Sequence, residues 1–108
     1  MPLTLTLTVA ADRAEIVLTG DLDATSAPQF QAELEKAAAA KPKHLVLHLA
    51  ALEFMASAGV RMLIFAKQKM GTGTRVYVIA PQEPILQTLQ RTGLMNSVTV
   101  QDVFAPLA

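Results

Sequence analysis

Leu3, Leu5, Leu7 and Val9 alternate with Thr4, Thr6 and Thr8. A strict two-residue period puts the leucines on one face of an extended chain and predicts a half-buried strand. Ala14, Ile16 and Leu18 repeat the pattern beyond a turn near Ala11-Asp12, which makes the two strands a hairpin. The period then changes. Gly20-Asp21-Leu22-Asp23 leads into Ser26-Ala27-Pro28-Gln29, a capping-box pattern with proline in the first helical turn. Ala27, Phe30, Leu34 and Ala37 follow at helical spacing, and Pro42 limits that helix. Leu45 to Leu49 form a short apolar run, predicting a buried strand. Ala58 to Met70 predict a second helix, with Ser57 at its N-cap and Gly71 at its C-cap. Val76 to Ile79 predict another buried strand, and Pro84 to Thr92 a third helix closed by Gly93. A short strand at Val98 to Val100 and a turn around Val103-Phe104 complete the pattern.

Two strands followed by repeated helix–strand alternation predict an α/β fold. The expected architecture is a mixed β-sheet with an N-terminal antiparallel hairpin and right-handed helical crossovers between parallel strands. No repeat, low-complexity tract or linker divides the chain, so residues 1–108 read as one domain.

Composition narrows the function. Hydrophobic residues make up 52% and aromatic residues only 5%, so the core is aliphatic. Nine basic and nine acidic residues cancel, without a concentrated positive segment, which argues against nucleic acid or an anionic membrane surface as the main partner. The absence of cysteine excludes disulfides, thiolate metal sites and a cysteine nucleophile. The first residues lack the basic start and continuous apolar run of a signal peptide, and no stretch approaches the ~18 apolar residues of a membrane span. A cytoplasmic protein without membrane insertion is expected.

Catalytic signatures are missing. Gly71-Thr72-Gly73-Thr74 lacks the ending of a phosphate loop and follows a helix instead of preceding one, so it reads as a turn. His44 and His48 are the two histidines; four residues apart on a strand, they stand roughly 13 Å from each other and cannot share a metal. A triad of Ser57, His48 and Asp23 can be written down, but nothing in the spacing supports it. The expectation is a protein that is not an enzyme, with no metal and no cofactor.

One hydroxyl draws a different reading. Phe54-Met55-Ala56-Ser57-Ala58-Gly59-Val60 places Ser57 between an apolar strand and a helix, where backbone N–H groups and the helix dipole favour negative charge. A phosphate there changes the surface charge by about −1.5 to −2. An ordinary helix cap is the commoner role of a serine so placed. On the helix that follows, Gly59, Met62, Leu63, Ala66 and Met70 share the side expected in the core. Ser57, Arg61, Ile64, Phe65 and Gln68 fall on the opposite side, where two apolar residues beside a modifiable hydroxyl suggest a partner-binding surface.

Gly20-Asp21-Leu22-Asp23, the apolar strand Leu45–Leu49, the Phe54–Gly59 segment and Leu89-Gln90-Arg91-Thr92-Gly93-Leu94 fall in an order and spacing that resembles the STAS domain, shared by sulfate transporters and bacterial anti-sigma factor antagonists. The resemblance covers nearly the whole chain and implies transcription regulation by partner switching. An unphosphorylated antagonist binds an anti-sigma factor serine kinase, phosphorylation of a loop serine ends the complex, and a PP2C-type phosphatase resets it. Ser57 matches the phosphorylated serine, and Ala58-Gly59 stays within the pattern. Asp23 matches an acidic position near that site, with Asp21 beside it. Ala56 stands where the family usually has Asp, and His48 where the preceding strand often carries Asp. The implied contact surface is therefore Asp21, Asp23, Ala56, Ser57, Ala58, Gly59, Arg61, Ile64, Phe65 and Gln68. Another branch of the family offers one alternative, a STAS subunit bound to the ATPase of an ABC-type lipid transporter; a rival of another class is a sensor binding a nucleotide or small ligand at the same helix N-terminus, which favours anions.

Overall fold

The computed structural model describes residues 1–107. The element order is β1 (Thr4–Ala10), β2 (Arg13–Leu22), α1 (Ala27–Ala39), β3 (His44–Met55), α2 (Ser57–Met70), β4 (Arg75–Ile79), α3 (Glu83–Thr92), a 3-10 turn at Leu94–Asn96 and β5 (Thr99–Gln101). The strands lie in the sheet in chain order. β1 and β2 form the antiparallel hairpin and every later neighbour is parallel. Each crossover moves one place in the same direction, so right-handed connections carry all three helices to one face. One core results, joining Ile16, Leu18, Leu45, Leu47 and Val78 of the sheet to Phe30, Leu34, Leu63, Ala66, Ile85 and Leu89 of the helices.

The helices bury the stripes their spacing predicts. α1 buries Ala27, Phe30, Leu34 and Ala37. Phe30 and Leu34 are fully inaccessible, and each such side chain contributes about 1.5–3 kcal/mol of transfer free energy. α2 buries Gly59, Leu63 and Ala66, while Met62 and Met70 are half-buried. Gly71 and Gly93 terminate α2 and α3 with φ of 74° and 77°, backbone that a glycine adopts without strain.

The capping box at Ser26 takes another form. Ser26 occupies the N-cap of α1, but no side-chain cap bond is made. Its hydroxyl turns back instead, accepting from the Asp23 N–H at 2.9 Å and donating to the Asp21 carbonyl at 3.0 Å. The Asp23 carboxylate closes the turn by accepting from the backbone N–H groups of Thr25 (3.0 Å) and Ser26 (3.1 Å).

β3 runs well beyond the apolar run at Leu45–Leu49. Its pairing with β2 shifts register between Val17 and Thr19 and again between Gly20 and Asp21. These irregularities absorb extra residues in β3. Leu52 and Met55 thereby return to the core while Ala50, Ala51, Glu53 and Phe54 stay exposed. The segment expected as a loop from Phe54 to Gly59 is thus mostly regular structure: Phe54 and Met55 end β3, Ser57 begins α2, and Ala56 alone connects them.

The opposite face of the sheet is covered more thinly. Phe104 packs edge-on against Tyr77 with ring centroids 5.0 Å apart, beneath the Arg13 guanidinium at 4.7 Å. Tyr77 bonds His44 through its hydroxyl and receives the Leu107 N–H, each at 3.0 Å. His48 bonds Glu15 on β2 at 2.7 Å, away from Ser57. Both histidines thus have structural partners, and no group of three metal-ligating side chains occurs among the described residues.

Candidate functional site

Ala56, and not Ser57, holds the N-cap of α2. The chain leaves β3 in extended backbone at Ala56 (φ −82°, ψ 176°), and no side chain caps the helix. Ala56 N–H donates to the Leu22 carbonyl at 2.9 Å, and the Ala56 carbonyl accepts from Gly59 N–H at 2.8 Å and Val60 N–H at 3.3 Å. These bonds fix where the helix starts. Ser57 therefore falls one residue inside, exposed and without a recorded hydrogen bond from its hydroxyl. The capping role expected for it is overturned.

Gly59 explains how α2 sits so close to the strand ends. A Cβ on Gly59 would meet Met55 Cγ at 2.5 Å and Leu22 Cγ at 2.9 Å. Only a residue without a side chain lets the first turn of α2 rest on Leu22 and Met55. Gly59 is thus a packing residue that sets the height of Ser57 and is not available to a partner.

The exposed stripe on α2 is narrower than its sequence suggests. Ser57, Arg61, Ile64 and Gln68 are exposed at i, i+4, i+7 and i+11, Ile64 retaining 42% exposure. Phe65 is half-buried and packs against the core, and Ala58 is half-buried. Phe65 lies one residue, roughly 100°, round the helix from Ile64, which turns its ring down toward the core side.

An open groove of about 620 Å³ lies beside Ser57, between the start of α2 and the last turns of α3. Phe54, Ser57, Val60 and Arg61 line one side, and Thr88, Arg91 and Thr92 the other. A smaller recess of about 290 Å³ adjoins it, sharing Phe54, Thr88 and Arg91 and adding Glu53, Pro84 and Gln87. Phe54 stands at the junction with 52% of its surface exposed. Arg91 is oriented by its bond to Thr88 Oγ1 at 3.2 Å, and that hydroxyl donates to the Pro84 carbonyl at 3.1 Å. No carboxylate lines the larger groove, where Ala56 stands at the start of α2.

Asp21 and Asp23 stand outside the groove. Asp21 accepts from the Met1 amine at 2.7 Å. Asp23 is committed to its turn, and the Thr25 hydroxyl at 2.7 Å, with the N–H groups of Ser26 and Thr25, holds its carboxyl below the ordinary value of 3.8. Of the expected site, the structure gathers Ala56, Ser57 and Arg61 in one groove, with Ile64 and Gln68 along the helix above it. Phe54, Thr88 and Arg91 were not foreseen as site residues. The polar spacing of Thr88, Arg91 and Thr92 at i, i+3 and i+4 is the one signal in the sequence that marks this face of α3.

The model of the STAS domain matches residues 8–106. The chain belongs to the STAS domain family. Anti-sigma-F factor antagonist RsfB of Mycobacterium tuberculosis is 31% identical over 81 residues, covering 73% of this chain and 66% of RsfB. The match thus spans just under two thirds of that relative's length. The fold is that of an anti-sigma factor antagonist from Mycobacterium paratuberculosis, with a TM-score of 0.86 and 24% identity over 94% of this chain and 87% of the other. The Bacillus cell fate determinant SpoIIAA in its phosphorylated form superposes with a TM-score of 0.72 and 20% identity, over 90% of each chain. Among the described residues, no helix is long and apolar enough to cross a membrane.

Proposed function

We propose that this STAS domain is an anti-sigma factor antagonist: it binds an anti-sigma factor serine kinase through the Ser57 end of α2, and phosphorylation of Ser57 ends that binding. The observation that carries the reading is the placement of Ser57, exposed at the mouth of an open groove with its hydroxyl unbonded among the described residues. A capping hydroxyl is occupied; this one is available. RsfB, whose name states the antagonist role, supports the same reading.

Binding rests on the exposed stripe and on Phe54. Ile64 and the Phe54 ring supply apolar anchors, with Arg61 and Gln68 as polar neighbours. Phosphorylation moves the γ-phosphoryl group of kinase-bound ATP to Ser57 Oγ, with ADP leaving and the hydroxyl proton released. A doubly charged group then stands where the partner must dock and be desolvated. A PP2C-type phosphatase hydrolyses the ester with water and restores the serine. Alanine at position 56 keeps a carboxylate away from the incoming phosphate. The role is regulated binding in the cytoplasm, without catalysis by this chain.

The test is to incubate the purified domain with the anti-sigma factor kinase encoded in the same genome, with and without ATP. The expected result is a stable complex without ATP, then a single phosphorylation mapped to Ser57 by mass spectrometry, with loss of the complex. A complex that survives stoichiometric phosphorylation, or modification at another residue, contradicts the proposal.

A further inference from the structure

We propose that Arg61 and Arg91 form an internal clamp for the phosphate on Ser57, so that phosphorylation withdraws both arginines from the partner as well as adding charge. The inference rests on the reading of Ser57 as the modified residue and adds the groups that receive its phosphate. Arg61 lies one helical turn beyond Ser57, where side chains four residues apart are neighbours and lean toward the preceding turn. Arg91 comes from α3 and lines the opposite wall of the same groove. Neither guanidinium has a carboxylate within ion-pair distance among the described residues. No acid lines the groove; Glu53 lines the adjoining recess that Arg91 shares.

The charges match. A phosphoserine carries about −1.5 to −2 at neutral pH, and two guanidinium groups supply the opposite charge in a fork geometry suited to phosphate oxygens. Before phosphorylation the two arginines face solvent and are available to acidic groups of the kinase. Afterwards the phosphate competes for them from within the same molecule. Thr88 holds Arg91 in place for that capture.

The test installs phosphoserine at position 57 during synthesis, so it reads the clamp whether or not a kinase modifies Ser57. Phosphorus NMR then follows the second ionisation of the phosphate in the otherwise native protein, in Arg61→Ala, in Arg91→Ala and in the double variant. A free phosphoserine has a pKa near about 6, and paired arginines lower it. The clamp predicts a value about one pH unit lower in the native background than in the double variant, each single variant lying between. Arg91→Lys is expected to recover part of the shift, since it keeps the charge and loses the fork. Both arginines are exposed, so the unphosphorylated variants should melt as the parent does. Equal phosphate pKa values in the native background and the double variant overturn the clamp. Failure of a kinase to modify Ser57 would instead overturn the regulatory reading and leave this titration unchanged.

Discussion

Gly59, in the first turn of α2, rests directly on Leu22 at the end of β2: a Cβ there would lie 2.9 Å from Leu22 Cγ. Met55 closes the other side at 2.5 Å. In an exposed helix, replacing glycine by alanine gains about 1 kcal/mol. Here the added methyl has to push α2 off the strand ends, and such overpacking costs typically about 1–3 kcal/mol. Gly59→Ala is therefore expected to lower stability by about 1–2 kcal/mol in urea unfolding, against its helix propensity. Unchanged or increased stability would mean that the contact relaxes freely.

Ile64 and Phe65, adjacent in sequence, should separate cleanly by experiment. Ile64 is exposed, so Ile64→Asp should change stability by no more than about 0.5 kcal/mol and weaken kinase binding by about 2 kcal/mol or more. Phe65 is half-buried against the core, so Phe65→Ala should cost about 1–2 kcal/mol of stability, less than a fully buried phenylalanine. Calorimetric titration and thermal melts of both variants provide the check. The opposite ranking in stability would place the core face of α2 elsewhere.

Asp23 gives a pH signature. Bonds from the Thr25 hydroxyl, and from the Ser26 and Thr25 N–H groups, hold its folded pKa below its value in the unfolded chain. A depressed acid stabilises the fold at pH values above its unfolded pKa, and that contribution is lost as pH falls through the folded value. Asp23→Asn keeps an acceptor for the turn but does not titrate. Between about pH 5 and pH 2 the variant should lose less stability than the parent, as read from urea midpoints at successive pH values. Parallel curves would show that the turn is indifferent to the Asp23 charge.

Much of the fold was legible because local and global signals coincide. The Leu–Thr alternation of β1, the stripes of α1 and α3 and the glycines at positions 71 and 93 each state one element without outside help. β3 was legible only to Leu49, because its register shifts against β2 break the alternation just where Ala50-Ala51 and Glu53-Phe54 occur. The position of Ser57 followed the same limit. Where a helix begins depends on the bond from Ala56 N–H to Leu22 O, a contact between residues far apart in sequence. Arg91 was hidden for a similar reason. Its own helix is readable, but its place across a groove from Ser57 is set only when α3 settles against β3 and the sheet.

The most direct test compares Ser57→Ala and Ser57→Asp by titration against the cognate anti-sigma factor kinase. Stability should hardly distinguish them: Ser57 makes no cap bond, so alanine should stay within about 0.5 kcal/mol of the parent, and aspartate in the first helical turn within about 1 kcal/mol. Binding should separate them. Alanine leaves the surface neutral and should keep the parent affinity, whereas aspartate puts a carboxylate into the docking face at a cost of about 2–4 kcal/mol, a loss of about thirtyfold or more. Equal affinities of the two variants would contradict a charge switch at Ser57.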